Sequence, residues 1–171
     1  NVERMNEITN YPVQSGDGSL DVNSYDLEFD KVAFSYVKGE NVLTDVSFTA
    51  KQGEVTALIG PSGGGKSTTA ALIDRFFDVT EGSILIGGVD IRDIPKEELN
   101  KMIAYVFQDN KLLKMSIKDN LKLAKSNATD YEINNALHLA QCDDIIAKLP
   151  AGVDTMLGTK GVYLSGGERQ R

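Results

Sequence analysis

The chain has one cysteine among 171 residues, so no intrachain disulfide forms, and a reducing compartment suits it. That residue, Cys142, reads as a small buried hydrophobe in a helical region. No apolar run approaches the length that crosses a bilayer, and no signal-peptide pattern is read at the start. Basic residues do not cluster into a run. Eighteen Lys and Arg face 25 Asp and Glu, for a net charge of −7, which argues against a sequence-independent grip on nucleic-acid phosphates. The single histidine, His138, has no Cys, Asp or second His spaced to join it, and reads as a solvated surface residue. What is present is ordinary for a soluble, cytosolic globular chain. Hydrophobic residues make up 41% and charged residues 25%, in a length sufficient for one domain with a core or for part of a larger one.

The first residues, through about Ser24, are polar, with Ser15-Gly16-Asp17-Gly18-Ser19 near the middle, and read as a linker. Val2 to Ile8 within it has the pattern of a helix tail entering from upstream. From Leu27 onward the apolar residues alternate: Leu27 and Phe29, then Val32, Phe34 and Tyr36. A phase slip at Asp30-Lys31 predicts a break or bulge. Val46, Phe48 and Ala50 resume the alternation after a turn at Lys38-Gly39-Glu40-Asn41, which predicts a small antiparallel sheet. Ser83 to Gly88 reads as a strand with a glycine turn. Pro95 to Leu99 reads as a helix start, and Ile103 to Phe107 as a second core-type strand ending at Gln108. Beyond that the texture is helical, with Ile133, Ala136, Leu137 and Ala140 on one face and His138 opposite.

The densest signal is Gly60-Pro61-Ser62-Gly63-Gly64-Gly65-Lys66-Ser67-Thr68, with the spacing G-x-x-x-x-G-K-[ST]. Glu54 to Ile59 before it reads as a buried strand. Leu72, Ile73, Phe76 and Phe77 after it recur at helical spacing, so the loop opens a helix. Glycines let the backbone wrap an anion closely, and the helix N-terminus adds free N–H groups and partial positive charge. In such a loop Lys66 reaches the β- and γ-phosphates and the Ser67 hydroxyl ligates Mg²⁺. Strand, loop, Lys-Ser and helix in this order indicate a nucleoside-triphosphate site rather than an ordinary glycine-rich turn.

A second constellation closes the chain, Leu164-Ser165-Gly166-Gly167-Glu168-Arg169-Gln170-Arg171. Ser165 followed three residues on by Glu168 is a capping box, so a helix begins there. Two glycines in its first turn each cost about 1 kcal/mol against Ala. Taken alone this is a capped helix with a flexible entry. Taken with the upstream loop, it is a second phosphate-binding surface, where a ligand approaches the bare helix N-terminus closely.

With both motifs in place, the chain resembles the nucleotide-binding domain of an ATP-binding cassette (ABC) transporter. Gly60 to Thr68 is similar to that family's Walker A motif. Leu164 to Arg171 is similar to its LSGGQ-type signature, with Glu168 in the glutamine position. Gln108 falls where the family has its Q-loop glutamine, which contacts Mg²⁺ and faces the membrane domain. Tyr36, a strand aromatic by pattern alone, resembles the residue that stacks on adenine. Asp154 to Gly161 is similar to the exporter segment that touches the coupling helices, although Met156 and Thr159 stand where charged residues are common. The likeness runs from about Leu27 to Arg171.

The resemblance implies an α/β fold: a P-loop NTPase core with an N-terminal antiparallel β subdomain and a C-terminal helical subdomain. Residues 1–24 would be a linker following an upstream transmembrane domain. Residues 25–108 would form the β and P-loop core, and 109–171 the helical subdomain with the signature. It implies ATP and Mg²⁺ as ligands, and as partners a transmembrane domain and a second nucleotide-binding domain. The setting would be the cytosolic face of a membrane. Two domains would pair head to tail, with Leu164, Ser165, Gly166, Gly167 and Glu168 meeting ATP in trans. The family's Walker B strand, catalytic Glu and switch His have no counterpart in the sequence, so the core would be incomplete. Binding without appreciable hydrolysis is expected of these residues alone. Two other readings remain open: a soluble ABC-type ATPase acting on nucleic acid or ribosomes, and a non-hydrolysing nucleotide-binding module.

Overall fold

A computed structural model describes residues 14, 16, 24–107, 111–158 and 162–171. The leader from Val2 to Ile8, Gln108, and Thr159 to Gly161 lie outside the described residues. The chain divides into two compact units, Asn1–Tyr105 and Val106–Arg171.

In the first unit, β1 (Leu27–Val37) and β2 (Glu40–Ala50) form the expected antiparallel hairpin. β3 (Glu81–Ile86) pairs with the other edge of β1, and the short β4 (Val89–Asp90) pairs with β3, giving the order β2-β1-β3-β4. All neighbours are antiparallel. Alternation fixes which side chains face inward, because successive residues point to opposite faces. Phe29 pairs with Phe48 across the hairpin and with Ile84 on β3, and the Phe29 and Phe48 rings stack 4.5 Å apart. The phase slip at Asp30-Lys31 is a bulge: both ladders shift register there, and Lys31 takes a φ of 49°. Gly82 faces it at φ 77°, where an added Cβ would lie 2.4 Å from the carbonyl oxygens of Asp30 and Lys31. Only glycine allows that approach.

The helix after the glycine loop, α1 (Lys66–Ile73), packs Leu72 at zero exposure into a core of Phe29, Val32, Phe34, Leu43, Ile84, Ile91, Ile94 and Leu99. Burying one such leucine contributes about 1.5–3 kcal/mol. α1 is shorter than its apolar spacing predicts. It ends at Ile73, and Arg75 takes a left-handed φ of 51°, so Phe76 and Phe77 leave on a turn rather than on the helix face. α2 (Lys96–Met102) starts after Pro95, with Glu97 and Glu98 in its first turn.

Two predicted strands do not form. Glu54–Ile59 is irregular and open to solvent, with Val55 99% and Ile59 94% exposed. A strand exists only where a neighbour takes up its N–H and C=O groups, and no described strand pairs with this run. Residues 103–107 are likewise outside the sheet, with Tyr105 packed on the Phe76 ring at 5.5 Å.

The second unit is helical. α3 (Ile117–Lys122) is capped by Ser116, and α4 (Asp130–Leu139) by a full capping box of Thr129 and Glu132. α5 (Asp143–Ile146) and a 3₁₀ turn (Gly152–Asp154) follow, then α6 (Gly166–Gln170). Ile133 and Leu137 of α4 join Cys142 and Ile145 in a small core, with Ala140 partly buried against it. Ala136, predicted for the same stripe, is exposed, because the apolar face of α4 is narrower than its spacing suggests. Cys142 is buried as expected, and burial pushes its thiol up.

Candidate nucleotide site

The glycine loop builds an anion cradle from its backbone. Gly63 and Gly65 both take left-handed φ, 79° and 80°, which turns the chain back on itself before the helix. The Gly64 N–H closes the loop onto the Pro61 carbonyl at 3.2 Å. A Cβ on Gly65 would lie 2.5 Å from Leu43 Cδ2, so the loop sits tightly on β2 at that residue. By contrast a Cβ on Gly60 or Gly63 would meet open space. No side chain caps α1, so the N–H groups of its first turn remain available to a ligand, at the positive end of the helix. The Lys66 ammonium folds over this concavity, donating to the Gly60 and Pro61 carbonyls at 2.9 and 2.6 Å. Ser67 is exposed, and its hydroxyl makes no hydrogen bond among the described residues. Thr69 is buried, and its hydroxyl donates back to the Gly65 carbonyl at 3.0 Å, pinning the first turn.

The far end of α1 is anchored as firmly. Arg75 is buried, donating to Asp78 at 2.8 Å and to the Ile91 carbonyl at 3.2 Å. Lys96 donates to the Asp74 and Arg75 carbonyls at 2.7 and 2.8 Å, a cation at the negative end of the helix. Burial pushes its ammonium below the usual lysine range. Both ends of the helix are therefore fixed, one by backbone packing and one by two cations.

Tyr36, at the end of β1, is half-exposed, and its hydroxyl meets the Thr68 hydroxyl of α1 at 3.1 Å. Its ring stands perpendicular to Phe34 and to Phe77, with centroids 4.8 and 5.2 Å away. The structure thus brings together Tyr36, Gly60–Thr68 and Phe77. Pattern alone missed the Thr68 and Phe77 contacts, since they arise from packing across 32 and 41 residues of chain.

In the second unit the predicted capping box of α6 is present. The Ser165 N–H donates to Glu168 Oε2 at 2.7 Å, and the Glu168 N–H donates to Ser165 Oγ at 3.3 Å. These bonds hold the Glu168 carboxyl below its usual range. A Cβ on Gly166 or Gly167 would meet nothing within 4 Å, so the turn is open to a partner. Leu164 tethers the motif by packing on the helical core. His138 lies on the exposed face as predicted, but Asp143 joins it at 2.6 Å, brought round by the turn after α4. Spacing along one helix could not show that pairing.

Magnesium fits this donor set. Among the described residues no cluster of His, Cys, Asp or Glu could cage an ion, whereas Ser67 offers a free hard oxygen beside the cradle. Mg²⁺ is commonly held in this way, by one or two protein oxygens and the ligand's phosphates.

A glycine loop of this geometry opening a helix, beside an antiparallel sheet and with a separate helical unit, defines a nucleotide-binding unit of the phosphate-loop class. Residues 43–171 match the family model described as ABC transporter, and the chain belongs to that family. It is 43% identical over 146 residues to the mitochondrial iron-sulfur clusters transporter ATM1 of Kluyveromyces lactis, covering 85% of this chain and 20% of that protein. It is 47% identical over 145 residues to the mycobactin import ATP-binding/permease protein IrtA of Mycolicibacterium thermoresistibile, covering 85% and 16%. Among solved structures it is similar to a bacterial Atm1-family ABC exporter with ATP bound. There the TM-score is 0.86 and the identity 36%, over 98% of this chain and 30% of that one. The chain thus spans 16% to 28% of the length of the curated relatives it matches. The fold is that of the nucleotide-binding domain of exporter-type ABC proteins, with its antiparallel β and helical parts. No helix among the described residues is long and apolar enough to cross a membrane.

Proposed function

We propose that residues 25–171 form an ATP-binding domain that couples nucleotide binding and hydrolysis to transport by membrane-spanning domains, with residues 1–24 as the linker. The observation that carries this reading is the Gly60–Thr68 cradle, with two left-handed glycines, an uncapped helix N-terminus and Lys66 folded over the concavity. Lys66 swings from its two carbonyls to the β- and γ-phosphates, while the N–H groups of the first turn of α1 hold the phosphate oxygens. Ser67 and Gln108 hold Mg²⁺, which when bound offsets the charge of the phosphates. Tyr36 stacks on adenine, a contact worth about 1–3 kcal/mol by analogy with base–aromatic stacking elsewhere.

The exposed Ser165–Gly167 turn meets the triphosphate of a second domain in trans, so ATP closes a head-to-tail pair and hydrolysis reopens it. The membrane setting, on the cytosolic face, follows from that role. A relative named for import and a solved structure titled an exporter share this domain, which fits a motor indifferent to cargo and direction. No assigned residue serves as a base for the attacking water. Residues 1–171 alone therefore bind ATP with negligible turnover.

Calorimetric titration with Mg-ATP tests the reading. Lys66→Ala removes a charge-assisted contact worth about 1.5–3 kcal/mol, roughly a ten- to hundredfold loss of affinity. Unchanged binding by that variant would count against the cradle. Ser165→Arg should leave binding by the monomer intact and block ATP-driven pairing in sedimentation. Undiminished pairing would remove the signature from the mechanism.

A further inference from the structure

Tyr36 is held at both its hydroxyl and its ring. Its hydroxyl is bound to Thr68 on the helix that the phosphate loop opens, at 3.1 Å. Its ring stands at 89° to that of Phe77, with centroids 5.2 Å apart, and at 86° to the buried ring of Phe34. Phe77 in turn lies 5.7 Å from Phe34, so the three rings close on one another. Phe77 stands just past the left-handed turn at Arg75, itself pinned by Asp78 and the Ile91 carbonyl. About half of Tyr36 and of Phe77 nonetheless remains exposed.

An aromatic pair gains most from edge-to-face packing, and a surface ring with fewer rotamers loses less entropy when a ligand stacks on it. We propose that Phe77 and the Thr68 hydroxyl are positioning residues for base recognition. Together they fix the plane of Tyr36 relative to the phosphate cradle, so that base and triphosphate are gripped as one rigid unit. The inference rests on the reading of Gly60–Thr68 and Tyr36 as a nucleotide site. It adds that selectivity for a nucleoside triphosphate over a bare polyphosphate depends on Phe77, outside the loop motif, and on the side chain of Thr68 at the motif's end.

The test compares two probes, Mg-ATP and inorganic tripolyphosphate, titrated into the same protein. Tripolyphosphate reports on the cradle alone, and ATP reports on cradle and ring together. Phe77→Leu should weaken ATP roughly three- to tenfold, as expected for loss of an aromatic pair, and leave tripolyphosphate affinity unchanged. Phe77→Tyr, which keeps the edge-to-face contact, should restore ATP affinity. Tyr36→Phe keeps the ring and removes the hydroxyl bond. It should weaken ATP roughly two- to fivefold, and adding Thr68→Val should weaken it no further.

Equal loss of both probes in Phe77→Leu would mean that Phe77 merely supports the fold, and the proposal fails. So does ATP affinity that neither Phe77→Leu nor Tyr36→Phe alters. Lys66→Ala separates the two levels. If it changes neither probe, the nucleotide-site reading itself is wrong and the inference falls with it. If it weakens both while Phe77→Leu weakens neither, only the positioning role is lost.

Discussion

β1 and the run from Glu54 to Ile59 carry comparable apolar patterns, yet one is the centre of a sheet and the other lies open to solvent. β1 has a partner on each edge, β2 and β3, and its Phe29, Val32 and Phe34 are buried between them and α1. Val55 and Ile59 are as apolar, but no described strand takes up their backbone groups. Apolar patterning states a demand for burial, whereas a strand also needs hydrogen-bonded neighbours in register. The two regions diverge on that second requirement.

Stability measurements can break or sharpen this contrast. The largest effect is expected at Phe29, where Ala leaves a cavity beneath the hairpin and costs about 3–5 kcal/mol. Ile59→Ala should change stability by no more than about 0.5 kcal/mol. Urea unfolding of the two variants gives the comparison directly, and equal losses would show that the run is buried in solution. Next come two left-handed glycines. Gly82→Ala at the bulge meets the Asp30 and Lys31 carbonyls at 2.4 Å, and the backbone strain alone costs about 1–3 kcal/mol. Gly53, at φ 80° just before the exposed run, has nothing within 4 Å, so its Ala variant should lose only about 1 kcal/mol. A Gly82→Ala protein as stable as Gly53→Ala would remove the bulge from the account.

The smallest effects are at the helix caps of the second unit. Thr129→Ala should cost about 1 kcal/mol. Its partner Glu132 hydrogen-bonds Lys125 and the Thr129 backbone and side chain, which together lower its pKa from 4.5 to about 2. Because the folded value is depressed, the stabilisation is present above pH 4.5 and fades as pH falls towards 2. The Glu132 carboxyl followed by NMR should titrate well below an ordinary glutamate, and Glu132→Gln should flatten the acid limb of the stability curve. A normal titration for Glu132 would rule out the box in solution.

Much of the molecule was legible in its sequence, for physical reasons that can be named. The Asp30-Lys31 phase slip showed the bulge, because a period-two pattern cannot absorb an extra residue without changing face. Ser165 and Glu168, like the glycine spacing of the loop, act over a few residues, and their geometry follows from local chemistry. Contacts that depend on tertiary packing were not legible. The end of α1 at Ile73, the burial of Arg75, the Asp143 partner of His138 and the Thr68–Tyr36 bond each depend on where other elements lie. The run Glu54–Ile59 has a strand's pattern without a strand's neighbours, and those too depend on where other elements lie. Gln108 lies outside the described residues, and its part in the site rests on the resemblance alone.

The central claim is that the loop between the exposed run and α1 binds ATP while the sheet serves as a fixed support. Hydrogen exchange with and without Mg-ATP tests it most directly, because the loop and the sheet are read in one experiment. The account predicts new protection at Gly63 to Thr69, with the amides of β3 and of β1 from Leu27 to Phe34 unchanged. Protection confined to other segments, or none at saturating ATP, would contradict it.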